Sequence, residues 1–272
     1  MVSIGTLRDL AAIGQGTWRF GEDHHSEADE ITALRAGIDL GMTLIDTAEL
    51  YADGNAEVIV GKAILGRRDE VCVVSKVLPA NATEEGTVRA CHASLRRLGT
   101  DRIDVYLLHW RREVPLSETV QAFHRLQEAG DIREWGVSNL DVADLDDLPA
   151  GAVPAANQVL YNITRRGPEA NLFPRSRASG TTIMAYSPIE KGRLLDRPAL
   201  VDIAQARGIT PAQVALSWAV RDGDVIAVPK ATRRAHIEQN AAAMHLRLSA
   251  DELRVLDESF PAPGIVPLET LS

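Results

Sequence analysis

The chain has 272 residues, 45% of them hydrophobic, enough to fill one sizeable core. Its formal net charge is -9 with no basic stretch standing out, which argues against a nucleic-acid partner but leaves room for a nucleotide held by a local cation cluster. No apolar run approaches the roughly 20 residues of a membrane span, the opening MVSIGTLRDL lacks a signal-peptide layout, and Cys72 and Cys91 have no metal-type spacing, so the expectation is a cytoplasmic protein with reduced thiols, no membrane association and no metal.

Ser3–Leu10 reads as a small hairpin. The first of eight short β-rich apolar runs, Ala12–Gly16, follows it. A helical stretch over Glu30–Leu40 puts Ile31, Leu34, Ile38 and Leu40 on one face, and Thr43–Asp46 is the second strand. Val71–Lys76 is the third. Val88, Cys91, Leu95 and Leu98 then repeat at helical spacing before the fourth strand, Ile103–His109. Val120, Phe123 and Leu126 mark the next helix, followed by strands at Ile132–Ser138, Ala156–Val159 and Thr182–Tyr186. Thr210-Pro211 has the form of an N-cap followed by proline at the first helical position. Val225–Val228 is the eighth strand, Ser249 caps the last helix, and Pro261–Ser272 reads as an irregular tail.

Strand–helix alternation of this regularity implies a parallel sheet. Eight units in a chain close to the roughly 250 residues typical of a (β/α)8 TIM barrel favour that closed α/β fold over a doubly wound sheet. The expectation is one domain spanning 1–272, with the hairpin across the barrel floor. Gly14-Gln-Gly16 lacks the later glycine of GxGxxG, so a Rossmann dinucleotide site is disfavoured.

Barrel chemistry belongs at the C-terminal ends of the strands. The ends here carry Asp46 with Tyr51 just after it, Lys76, His109, Ser138-Asn139, Gln158, Tyr186 and, past the eighth strand, Lys230. A buried His is commonly a core residue and a strand-end Asp commonly a helix cap, but barrel geometry brings all of these around one mouth. Composition adds a hint. Lys and Arg total 29, yet the only lysines are Lys62, Lys76, Lys191 and Lys230, so a lysine that survives is a candidate for work arginine cannot do. Tyrosine is a poor acid, with a reference pKa of about 10. An adjacent ammonium favours its phenolate and is expected to lower that value. Asp46 can hold Lys76, and His109 can donate to a carbonyl oxygen. Together they make a proton donor facing an electrophilic carbonyl.

The runs GMTLIDTAELYADGNAEVIVGKAI (41–64), VVSKV (73–77), LLHW (107–110), WGVSN (135–139), NQVLYN (157–162), AYSP (185–188) and VPKATRRAHIEQN (228–240) resemble, in order and spacing, the aldo-keto reductase superfamily. DTAELYADG followed by SKV, and the ending PAPG-x-x-PL, are most similar to short-loop bacterial members of methylglyoxal-reductase type. The resemblance implies reduction of small aldehydes, ketones or α-dicarbonyls by hydride transfer from NADPH; the departure at His236, where arginine is common, leaves NADH usable as well. It implies a catalytic tetrad of Asp46, Tyr51, Lys76 and His109, with Tyr51 as proton donor. It assigns Ser138, Asn139 and Gln158 to the nicotinamide carboxamide, Tyr186 to stacking on the ring, and Ser187 through Arg193 to the pyrophosphate. Lys230, Thr232 and Arg233 would lie near the adenosine 2′-phosphate, Gln239 and Asn240 near the adenine. Trp18 and Trp110 match positions that line the substrate pocket.

The sequence departs from the family at three places. His236 stands where arginine is common, Arg111-Arg112 follows Trp110 in place of proline, and Ile189-Glu190-Lys191 replaces a Leu-Gly-type run. Two other functions compete with the reductase. One is a nucleotide-binding regulatory subunit, against which the intact tetrad argues. The other is a Schiff-base aldolase using Lys76, a lysine that would want an apolar, cation-rich setting and not an aspartate partner.

Overall fold

A computed structural model describes residues 1–22 and 25–270. The chain opens with an antiparallel hairpin, β1 (Val2–Ile4) and β2 (Leu7–Leu10), in which Val2 faces Leu10 and Ile4 faces Leu7. Eight parallel strands follow, each paired with its neighbours in chain order: β3 (Gln15–Gly16), β4 (Leu44–Asp46), β5 (Cys72–Val77), β6 (Ile103–Leu108), β7 (Ile132–Ser138), β8 (Ala156–Leu160), β9 (Thr182–Tyr186) and β10 (Val225–Ala227). Between and after them run α1 (Glu27–Asp39), α2 (Asn55–Ile64), α3 (Glu84–Leu98), α4 (Leu116–Ala129), α5 (Val142–Asp146), α6 (Leu172–Ser179), α7 (Pro198–Arg207), α8 (Pro211–Ala219), α9 (Arg234–Ala243) and α10 (Ala250–Ser259).

The first and last strands close the barrel. Ile13 pairs in parallel with Ala227, and the seam holds three backbone bonds: Gly14 N to Ala227 O at 2.8 Å, Ala227 N to Ala12 O at 2.9 Å and Gly16 N to Pro229 O at 3.0 Å. The hairpin crosses the opposite end from the strand tips. Thr182 at the start of β9 donates to Ser3 O at 2.5 Å, and Thr6 donates from both N and Oγ1 to Glu134 of β7, each at 2.6 Å.

All eight strand readings correspond to observed strands, with shifted edges. The regular part of the first is only Gln15–Gly16, because Ala12 and Ile13 meet the seam through an isolated bridge. His109 falls just outside β6, although its N–H still donates to Val77 O at 3.0 Å. The helix read from Glu30 begins a turn earlier, where Ser26 Oγ accepts from Asp29 N at 3.1 Å. Thr210 and Ser249 cap their helices as expected, each completing a reciprocal pair with Gln213 and Glu252. Residues 261–270 lack regular structure, and 271–272 of the expected tail lie outside the described residues.

Two apolar layers form, because a barrel strand is buried on both faces. Alternate residues point inward. Leu44, Cys72, Val74, Val105, Leu107, Ala156, Met184 and Ile226 fill the interior with Ile4 and Leu10 of the hairpin beneath them. The other residues of the strands pack outward against the helices.

The seam tolerates no side chain at Gly16. A Cβ there would sit 2.7 Å from Val228 O, a backbone atom that cannot swing aside. Gly16→Ala is expected to cost about 1–3 kcal/mol of unfolding free energy, the usual range for overpacking a closed interior. Gly264→Ala, where a Cβ meets nothing within 4 Å, is the control and should leave stability near that of the wild type. Urea denaturation of the two variants measures the difference.

Candidate active site

The inward period of two carries the strands from apolar interior to polar mouth. Two residues beyond Leu44 is Asp46, beyond Val74 is Lys76, beyond Leu107 is His109, beyond Ala156 is Gln158, and beyond Met184 is Tyr186. Each reactive residue is thus the next inward-facing position above a residue that fills the barrel. β4 and β5 pair with Asp46 opposite Val74, which sets Lys76 one inward step higher.

Lys76 is wholly buried, and its ammonium meets three oxygens: Asp46 Oδ1 at 2.8 Å, Thr47 O at 2.8 Å and Tyr51 Oη at 3.3 Å. An ammonium has three N–H donors, and all three are engaged. Burial works against this charge, but Asp46 and Tyr51 together outweigh it and hold Lys76 above its ordinary range. A lysine so protonated and so bonded is not a nucleophile, which removes the Schiff-base alternative on physical grounds.

Tyr51 reaches Lys76 through an unusual turn. Ala52, Asp53 and Gly54 all have positive φ, at 48°, 52° and 86°. Only glycine adopts this region freely, so Ala52 and Asp53 are strained. At Gly54 a Cβ would also strike Arg97 Nε at 2.5 Å, the group that bonds buried Glu57 at 2.6 Å. The expected acidification of Tyr51 is not what the structure gives. Burial raises its pKa, and the neighbouring Lys76 only partly offsets this. The phenol therefore stays protonated at neutral pH.

His109 is 9% exposed and its Nδ1 is buried without a hydrogen-bond partner. Its ring lies edge-on to Tyr51 with centroids 5.8 Å apart, and 4.8 Å from Trp110. Burial, reinforced by the Lys76 charge, pushes its pKa down to about 3, so the imidazole is neutral.

A cleft of about 1290 Å³ opens over these groups. Its lining includes Trp18, Asp46, Tyr51, His109, Trp110, Ser138, Asn139 and Gln158, and continues through Tyr186, Ser187, Lys230, Gln239 and Asn240. Lys76 lies beneath its wall. Arg193, Thr232 and Arg233 are not among the lining residues, and Thr232 instead sits 3.3 Å from His25 Nε2.

The amides are already networked. Gln158 Nε2 donates to Asp46 Oδ1 at 2.7 Å, a contact not anticipated from the sequence. Asn139, itself at φ 59°, donates to His109 O at 3.2 Å and to Ser138 Oγ at 3.1 Å, and accepts from Tyr186 Oη at 3.0 Å. Sequence reasoning also missed Arg19 and the start of α8, Thr210–Ala212, which join the lining. The Thr210-Pro211 cap was the available signal for α8; Arg19 sits in an irregular loop and gave none. Lys191 Nζ lies 4.4 Å from the centre of the Trp18 ring, and the Arg19 guanidinium lies 4.7 Å from it.

The aldo/keto reductase family model matches residues 12–260 of this chain. The chain is similar to methylglyoxal reductase YeaE of Escherichia coli (strain K12), 50% identical over 262 residues covering 93% of this chain and 92% of that protein. It is 32% identical to glyoxal reductase of Bacillus subtilis (strain 168), over 88% of this chain and 85% of that one. Among solved structures, an aldo/keto reductase of Klebsiella pneumoniae in complex with NADP and acetate superposes with a TM-score of 0.97 at 46% identity, covering 99% of each chain.

The buried neutral His109 makes stability depend on pH. The unfolded histidine takes up a proton near pH 6.5, whereas the folded one does so only near pH 3. The unfolded state binds more protons in between, so stability falls as pH drops through that window. From this residue alone the wild type should lose about 2 kcal/mol between pH 7 and pH 5. His109→Gln should show a correspondingly shallower slope in denaturation curves at the two pH values, and an identical slope would refute the assignment.

Proposed function

The chain belongs to the aldo/keto reductase family, and we propose that it is an NADPH-dependent reductase of small aldehydes, ketones and α-dicarbonyls in which Tyr51 protonates the carbonyl oxygen. One observation carries the assignment of Tyr51. Its phenol stands 3.3 Å from an ammonium that Asp46 and Thr47 hold rigidly, beside a neutral imidazole at the base of the cleft.

The nicotinamide supplies the hydride when bound. The residues present fit a dinucleotide. The cleft exceeds the roughly 300–1,000 Å³ usual for drug-sized ligands, leaving room for a small substrate as well. The N-terminus of α9 has no side-chain cap, so its free N–H groups and Lys230 offer a seat for a phosphate. Ser138, Asn139 and Gln158 supply amide and hydroxyl groups for the carboxamide, and Tyr186 a face for the ring.

The protein's own part follows from the pKa directions. Burial keeps Tyr51 protonated, as a donor must be before the reaction. As the carbonyl oxygen gains charge, the phenol proton moves to it, and Lys76 stabilises the phenolate left behind. Neutral His109 donates an N–H to the same oxygen without competing as an acid. Asp46, shared between Lys76 and Gln158, fixes both. Trp18 and Trp110 make apolar walls, and we assign a broad range of small activated carbonyls to this open pocket. A cytoplasmic setting belongs to the same proposal; among the described residues no helix is long and apolar enough to cross a membrane.

Tyr51→Phe should abolish carbonyl reduction while leaving NADPH binding, followed by cofactor fluorescence, within about twofold of the wild type. Substantial turnover by the variant would remove Tyr51 from its role. Methylglyoxal should be turned over in preference to a steroid ketone by the wild type.

Cofactor choice is a separate prediction. A charge-assisted contact to the 2′-phosphate contributes on the order of 1.5–3 kcal/mol, or about 10- to 150-fold. Lys230→Gly should lower the NADPH/NADH ratio of kcat/KM within that range, and His236→Arg should raise it. An unchanged ratio in the Lys230 variant would place the phosphate elsewhere.

A further inference from the structure

The charges of the cleft are unevenly compensated. Its lining includes the carboxylates Asp46 and Asp144, and both are already engaged, Asp46 by Lys76 and Asp144 by Arg111. Arg111 is doubly held, its Nη1 donating to Asp144 Oδ1 at 2.8 Å and to Asp147 Oδ2 at 2.7 Å. Asp144 belongs to the capping pair at the start of α5, so the segment after Trp110 is pinned to that helix. Arg112, the next residue, also lines the cleft but makes no ion pair or hydrogen bond among the described residues.

Position separates Arg112 from the cations suited to a nucleotide. Lys230 follows β10 and Lys191 follows β9. Arg112 follows β6, four strands from β10 in an eight-stranded closed barrel, and so stands across the mouth from Lys230. It stands on the side of His109 and Trp110, three residues beyond His109, an extended span of at most about 10 Å that the arginine side chain can reach back along. A cation here faces whatever lies beside the reacting carbonyl.

We propose that Arg112 is a specificity residue for carbonyl substrates bearing a carboxylate a few bonds from the carbonyl, such as short ω-oxo acids. The inference rests on the reductase reading and narrows it. Arg111 does not serve the same end, because its charge is spent on two aspartates. Arg112 contributes no proton and touches no reacting atom. It recognises the far end of the substrate, as a guanidinium suits a carboxylate. Because it is solvent-exposed, its effect is that of a rim charge, modest and weakened by salt.

The test compares kcat/KM for 4-oxobutanoate and its neutral methyl ester, with NADPH, in the wild type, Arg112→Ala and Arg112→Lys. The acid-to-ester ratio is expected to fall roughly 3- to 10-fold in Arg112→Ala, chiefly through KM. It should be largely retained in Arg112→Lys. In the wild type the ratio should drop as ionic strength rises, and in Arg112→Ala it should not. The KM for NADPH and turnover of the ester should stay unchanged in both variants. An acid-to-ester ratio that survives Arg112→Ala, or an equal loss on both aldehydes, overturns the inference while leaving the reductase reading intact. A wild type that reduces neither aldehyde overturns the reductase reading and this inference with it.

Discussion

A positive charge with none of its surface in water must be compensated inside the protein, and Lys76 is such a charge. Even after relaxation the desolvation of an ion costs several kcal/mol, and removing one partner of a buried pair is far worse than never having built it. The structure meets the cost with a carboxylate, a carbonyl and a phenol at hydrogen-bond distance. Much of the site follows from that requirement. Asp46 must stand on the strand beside Lys76, one inward step below it. Gln158 comes from the far side of the barrel to bond the same carboxylate oxygen. Tyr51 must approach from a loop, and the chain accepts two strained residues after it to do so. The uncharged state of His109 is a further consequence, since the Lys76 charge adds to burial in disfavouring an imidazolium.

Much of this was legible in the sequence because the barrel repeats one rule. Strands buried on both faces are apolar runs, and such runs are easy to see. Where the inward alternation passes from Leu44 to Asp46, or from Val74 to Lys76, the change in polarity marks the mouth without any structure. The order of strands and helices, the caps at Thr210 and Ser249 and the floor hairpin follow from the same local logic. The resemblance to aldo-keto reductases then attached roles to positions that pattern had already grouped.

What was not legible depends on contacts between segments distant in sequence. No spacing rule foretells three successive left-handed residues at 52–54, or the bond from Gln158 to Asp46. The direction of the Tyr51 shift was misjudged because an ammonium neighbour is visible in a motif, whereas the degree of burial is a property of the assembled mouth. Arg193 was placed by resemblance to a loop whose local run, Ile189-Glu190-Lys191, differs here. In this chain that loop carries positive φ at Ser187, Glu190 and Lys191. Glu190 is tied to Asn162 at 2.7 Å and to Arg165 at 3.2 Å, while Arg165 also holds Glu269 of the tail at 2.7 Å. The course of the loop is therefore set partly by residues on either side of it in the chain, out of reach of a motif.

The seam between Ile13 and Ala227 joins strands more than two hundred residues apart in the chain. A pairing of such separation repays its ordering entropy only after nearly everything between is in place. The walls of the cleft straddle that seam, with Gly16 and Trp18 on one flank and Val228 to Lys230 on the other. The polar mouth is thus not a local device resting on a preformed scaffold. It comes into being as the ring of strands shuts, and a chain halted short of β10 would lack one bank of the channel that Asp46, Lys76 and His109 serve.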